Sequence, residues 1–236
     1  MAGKMGNSAF TVLCTTIVPI YFKNIAEAGN VADSDSTAFL SFTLSLSTIL
    51  VAILGPTLGT MADTKNYKKP LFVSSFLVGA IGCMAMAFAS KWLAFLAVFC
   101  VARTGYQLSL IFYDSMLTDV TTEERMDEIS SQGYAWGYIG SCVPFIASLV
   151  LILGADSIGI SGGLAMALAL FINAIWWAAM TIPLIRSYRQ IHYVEKAGHP
   201  VKESLLRIVD VVKGLGSEGN RQILFFLIGF FFYIDG

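Results

Sequence analysis

Six stretches of the chain, 7–22, 38–61, 71–89, 92–112, 134–153 and 164–185, are apolar for long enough to cross a bilayer. A helix rises about 1.5 Å per residue and the hydrocarbon core is about 30 Å thick, so roughly 20 mostly apolar residues complete a span. A seventh run, 223–234, has the same character and stops two residues short of Gly236. None alternates polar and apolar positions as a membrane barrel strand does, and an open sheet edge would find no hydrogen-bond partners in lipid. The pattern predicts an all-α membrane protein: a six-helix transmembrane bundle over 1–185 and the start of a seventh helix over 222–236. The first run precedes Ala26-Glu27-Ala28, which invites a signal-peptide reading. Asn7, Thr11, Thr15, Thr16 and Pro19 make a poor signal core, so it is expected to stay as the first span.

The polar segment 186–221 reads as a linker with an amphipathic piece. Leu205, Ile208, Val209 and Val212 share one helical face, while Lys202, Glu203, Arg207, Asp210 and Lys213 fall mostly elsewhere, as in a helix lying at the membrane surface. Six spans, a polar connector and the beginning of a seventh span are the pattern of one half of a two-bundle transporter.

Basic residues fix the expected orientation, because Lys and Arg near span ends are retained on the cytoplasmic side. With the amino terminus inside, twelve of the 15 basic residues, Lys65, Lys68 and Lys69 among them, fall in cytoplasmic segments. Only Lys23 and Lys91 lie outside, and Arg103 remains at depth. A multi-pass protein of the cell (inner) membrane with a cytoplasmic amino terminus is expected.

Composition agrees: 56% of residues are hydrophobic and 13% charged, against about 25% charged in a soluble domain. The net charge of -1 gives no reason to expect a nucleic-acid partner. Cys14, Cys83, Cys100 and Cys142 sit singly in apolar runs without CxxC spacing and read as packing residues. His192 and His199 lie in polar sequence and suggest neither a metal site nor an intramembrane proton carrier. No cofactor or metal is expected.

Three places carry candidate chemistry. The turn after the second run reads Gly59-Thr60-Met61-Ala62-Asp63-Thr64-Lys65-Asn66-Tyr67-Lys68-Lys69. Here a glycine permits close helix approach, an Asp can cap a helix end and a basic cluster marks the inside. In the fourth run Arg103 is the basic residue at depth, and a buried charge needs a partner or a water-filled cavity. Gln107 and Asp114, four and eleven residues on, fall on its stripe. In the fifth run Gly133 and Gly137 form a GxxxG pair, with Gly140 and Pro144 following, and read as a close-packing face.

The 59–69 turn resembles the signature between helices two and three of the major facilitator superfamily, and Arg103 resembles the arginine that family carries in helix four. Thr64 stands where Arg or Lys is usual and Asn66 where Gly is usual. Gly6-Asn7-Ser8-Ala9-Phe10, the segment 119–140 and Phe232-Tyr233-Ile234-Asp235-Gly236 resemble the branch related to the fungal vacuolar amino-acid effluxers. That branch has a Tyr-Asp pair just before Asn-Ser-Ala, where this chain has Lys4 and Met5. The resemblance implies half of a twelve-helix fold, a small-molecule substrate, the lipid bilayer and a carboxy-terminal half as partners, and alternating-access transport, with amino-acid efflux as the branch's suggestion. The expected cavity-lining residues are Asn7, Thr11, Thr15, Arg103, Gln107 and Tyr138. The expected gating residues are Gly59, Asp63, Lys68, Lys69 and Asp114.

Two rival readings stand beside this one. An intramembrane aspartyl protease using Asp114 and Asp235 lacks the Gly-x-Gly-Asp motif, and no HExxH or membrane Ser/His pair occurs, so no enzyme is expected. A membrane sensor or scaffold on the same fold stays open, because fold does not fix function. Gly214-Leu215-Gly216-Ser217-Glu218-Gly219 matches GxGxxG without a preceding strand and reads as linker.

Overall fold

The computed structural model describes residues 2–195 and the isolated positions 206, 210, 214, 222, 223, 225, 226 and 229. The amphipathic piece, the glycine-rich segment 214–219, His199 and the seventh run lie outside the described residues apart from those positions. The helices are α1 (Ala2–Ala28), α2 (Asp33–Ala62), α3 (Lys68–Met86), α4 (Trp92–Ser115), the single turn α5 (Leu117–Val120), α6 (Met126–Leu153) and α7 (Gly162–Ser187). Among the described residues, six are long and apolar enough to cross a membrane: all but α5. No β-strand is present among them, although Thr64 and Val194 form an isolated parallel bridge.

The six helices run alternately up and down. The end that carries Lys4, Lys65, Lys68 and Lys69 is called the basic end below. Helix ends follow local chemistry. Asp33 and Asp35 occupy the first turn of α2, where carboxylates oppose the positive end of the helix dipole. The Ser161 side chain accepts the Leu164 N–H at 3.3 Å and caps α7. In the α2–α3 turn Asn66 has φ +66°. Asparagine enters this left-handed region at small cost, so it can stand where glycine is usual.

Helix α1 runs down the middle, packed on α6, α7, α2 and α4, while α3 joins α4 and α7. The core centres on Trp177 of α7, whose ring meets Phe10, Phe76 and Tyr106 from α1, α3 and α4 at centroid distances of 5.1, 5.1 and 5.7 Å. Glycines let the neighbours close in. A Cβ on Gly6 or Gly79 would lie 2.7 or 2.6 Å from the Trp177 ring.

Helices α3 and α4 approach closest. A Cβ on Gly105 would stand 2.8 Å from the Gly79 backbone nitrogen, and one on Gly82 would stand 2.7 Å from the Ala102 Cβ. Because a backbone cannot swing aside, Gly105→Ala is expected to cost about 1–3 kcal/mol through overpacking. Thermal unfolding of the purified protein checks this, and an unchanged midpoint would mean that the two helices are less tightly joined.

The GxxxG expectation needs correction. Gly137 and Gly140 do take α1 at close range, against Ser8 and Met5, but a Cβ on Gly133 would meet nothing within 4 Å. The close-packing pair is Gly137 with Gly140, and Gly133 borders a cavity instead. Gly59 also meets nothing within 4 Å, so it brings no helix of this bundle closer.

Candidate functional site

Antiparallel packing of α1 against α4 sets a fixed register. From the basic end inward, Lys4 meets Asp114 at 3.3 Å, the Thr11 and Tyr106 hydroxyls hydrogen-bond to one another, the Cys14 thiol lies against Arg103, and Tyr21 meets the edge of Phe95. Residue numbers in each pair add to nearly the same value, as two straight antiparallel helices require. The polar members of both helices thus form one strip that continues into apolar packing.

Among the described residues Arg103 has no carboxylate partner, and its buried Nε lacks a hydrogen-bond acceptor. The buried Gln107 Oε1 likewise has no donor. Asp114 shares the Arg103 stripe as expected but its partner is Lys4, reached across the helix interface. Thr15 is exposed and bonds to its own helix at the Thr11 and Val12 carbonyls, both at 3.1 Å. Tyr138 is 71% exposed.

Asn7 is 2% exposed. Its Oδ1 accepts the Trp177 indole N–H at 2.8 Å, while its Nδ2 has no acceptor among the described residues. Asn7, Thr11, Tyr106, Asp114 and Tyr138 line one cleft of about 290 Å³ with Lys4 and Tyr134. A second cleft of about 210 Å³, bordered by Gly133, opens on the other side of Lys4. Lys4 is a helical residue whose side chain is only 10% exposed. Its ammonium stands 4.0 Å from the centre of the Tyr134 ring and 5.6 Å from that of Tyr113.

The expected gating residues separate into two groups. Asp63 is the C-terminal cap of α2: its N–H donates to the Gly59 carbonyl at 3.3 Å, and its carbonyl accepts the Val194 N–H at 2.8 Å. Tyr67, not Asp63, precedes α3, without a side-chain cap. Lys69 is half-buried at the start of α3. Lys68, expected among the gating residues in the basic cluster of this turn, is buried. Its ammonium donates to Asp119 Oδ2 at 3.1 Å and to the Ser115 carbonyl at 3.3 Å.

Asp119, which the sequence did not single out, is the hub of this end. Its carboxylate also accepts the Tyr188 hydroxyl, the Ile191 N–H at 3.2 Å and the His192 N–H at 2.8 Å. The His192 ring Nδ1 lies 3.2 Å from Oδ1. Burial first, then the Asp119 carboxylate it faces, push the Tyr188 phenol well above the ordinary tyrosine range, so the hydroxyl remains a donor. Gln190 donates to the Ala62 and Thr64 carbonyls at 3.0 and 3.3 Å, and Lys65 pairs with Glu195 at 3.0 Å. The strap 188–195 is therefore laced to the α2–α3 turn and to α5.

A six-helix apolar bundle with a polar strip between its first and fourth helices, and a basic turn between its second and third, has the architecture of half of a major facilitator transporter. The family model described as "Vacuole effluxer Atg22 like" matches residues 2–236, and the chain belongs to that family. It is 39% identical over 235 residues to the uncharacterized MFS-type transporter YxiO of Bacillus subtilis (strain 168), a match covering 98% of this chain and 54% of the relative. It is 22% identical over 270 residues to autophagy-related protein 22 of Coccidioides immitis (strain RS), covering 86% of this chain and 43% of the relative. The chain spans about half the length of the curated relatives it matches. No solved structure matches it.

Proposed function

We propose that this chain forms the amino-terminal half of a secondary transporter that moves a small solute by alternating access, with the α1–α4 strip as its share of the solute path. One observation carries the reading: Asn7, Arg103 and Gln107 each keep a buried polar atom without a partner among the described residues. Each such atom costs about 1–3 kcal/mol, a cost that a bound solute or a facing bundle removes. Asn7, Thr11, Thr15, Arg103, Gln107 and Tyr138 line the path in this reading. Gly59 and Asp63, with Lys69 beside them, meet the carboxy-terminal half, and the open space around Gly59 supports that docking. Lys68 and Asp114 hold the basic end through their ion pairs. The distribution of basic residues favours placing this end in the cytoplasm.

Arg103 gives the solute its expected chemistry. A guanidinium stays charged at physiological pH, so it shuttles no proton and acts by electrostatics or bidentate bonding, as a carboxylate would use. Amino acids satisfy this, and efflux follows the family's description. In proteoliposomes of the complete protein, Arg103→Lys keeps the charge but loses the fork, and is expected to weaken solute binding by about 1.5–3 kcal/mol at unchanged melting temperature. Normal transport and stability in Arg103→Ala would remove Arg103 from the path. No flux of any amino acid or carboxylate by the intact protein would favour the sensor reading.

A further inference from the structure

We propose that Lys4 and Asn7 form a second binding station for a carboxylate group, at the basic end of the cleft and about 10–15 Å from Arg103 by the rise of the seven to ten residues that separate them from Cys14 on α1. It rests on the transporter reading only for its use in transport; binding is a separate property. Three observations converge on it.

The first is the orientation of the Asn7 amide. Indole nitrogen can only donate, so the amide oxygen must face Trp177, which it does at 2.8 Å. The amide nitrogen is thereby turned away from Trp177, in a side chain that lines the cleft. A donor held in place, in a side chain 2% exposed and without an acceptor among the described residues, calls for an oxygen from a ligand. Trp177 is its positioning residue.

The second is the Lys4 ammonium. It has three N–H donors, and its described hydrogen bond is the one to Asp114 Oδ1. The face of Tyr134, 4.0 Å away, supports its charge but offers no oxygen lone pair. Lys4 borders the same cleft as Asn7, one turn earlier on α1.

The third is the charge balance of the strip. Lys4 and Asp114 are the charged residues that line the cleft, and Arg103, farther along the strip, adds a second cation to the pair. Asp114 is 58% exposed in its side chain, and water screens it more than the nearly buried Lys4. Tyr106, Tyr134 and Tyr138 supply aromatic walls for the body of such a ligand.

The test uses the complete protein in detergent and two probes of equal size and opposite charge, benzoate and benzylamine, with binding and melting measured on the same preparations. Benzoate is expected to bind and benzylamine to bind at least about tenfold more weakly. Lys4→Gln removes the charge. Asn7→Asp keeps an acceptor for Trp177 while replacing the unpartnered amide donor by an acceptor, so it separates ligand contact from packing. Each is expected to weaken benzoate about ten- to a hundredfold, whereas Lys4→Arg, with charge and donors retained, stays within about threefold. Equal binding of both probes, no binding of benzoate, or unchanged benzoate affinity in folded Lys4→Gln would overturn the station. If Asn7→Asp does not fold, Lys4→Gln and Lys4→Arg decide the matter. Solute flux distinguishes the two readings: benzoate binding without flux of any solute retains the station and removes the transporter, and flux without benzoate binding does the reverse.

Discussion

Asp119→Ala is expected to destabilise the protein by about 3–5 kcal/mol, the range for removing one partner from a buried ion pair. The Asp119 side chain is fully buried and that of Lys68 is 4% exposed. Truncation leaves the ammonium with the Ser115 carbonyl and strips the acceptor from the Tyr188 hydroxyl and from two strap N–H groups. The loss should be local as well as global, because the strap owes much of its attachment to this one carboxylate. Hydrogen exchange at Ile191 and His192 should rise sharply even at temperatures where the bundle stays folded. Asp119→Leu combined with Lys68→Met should recover part of the lost stability, since an apolar pair avoids desolvation that a stranded charge cannot. A melting midpoint unmoved by Asp119→Ala would mean that water reaches this carboxylate freely.

Length and hydropathy made the six spans legible, because a bilayer demands a long apolar run wherever the chain crosses it. They did not reveal where the helices begin. Helix α1 starts at Ala2, five residues before the apolar run, because Lys4 is neutralised by Asp114 across 110 residues of sequence. Nothing local announces such a pairing. The burial of Lys68 was illegible for the same reason: a lysine in a basic turn is normally solvated, and its burial depends on a carboxylate 51 residues away. Gly133 shows the converse error, since spacing identifies a small-residue face without saying whether a helix lies opposite. Within the candidate site, Arg103, Gln107 and Asn7 stood out because polar groups are costly in an apolar run. Trp177 did not, because its ring belongs in such a run and its single donor matters only once Asn7 is beside it.

Trp177→Ala is the other substitution expected to act strongly, and by a different route. In water-soluble cores such truncations cost about 3–5 kcal/mol, part of it from returning apolar surface to water. A bilayer is itself apolar, so the cavity and lost van der Waals contact must carry the effect here. They should be large at this position, because the ring is fully buried and fills the junction of α1, α3, α4 and α7. The helices cannot close the gap cheaply, since Gly6 and Gly79 already bring their backbones to the ring. Trp177→Phe separates packing from hydrogen bonding: it fills much of the volume but leaves the buried Asn7 Oδ1 without a donor, at about 1–3 kcal/mol. With that bond gone the Asn7 amide can rotate, so this variant should lose benzoate affinity as well as stability, whereas Gly105→Ala should lose stability alone. Melting and benzoate binding measured together on the two variants check the distinction. Equal benzoate affinity in Trp177→Phe and the parent protein would show that the indole packs the bundle without orienting Asn7.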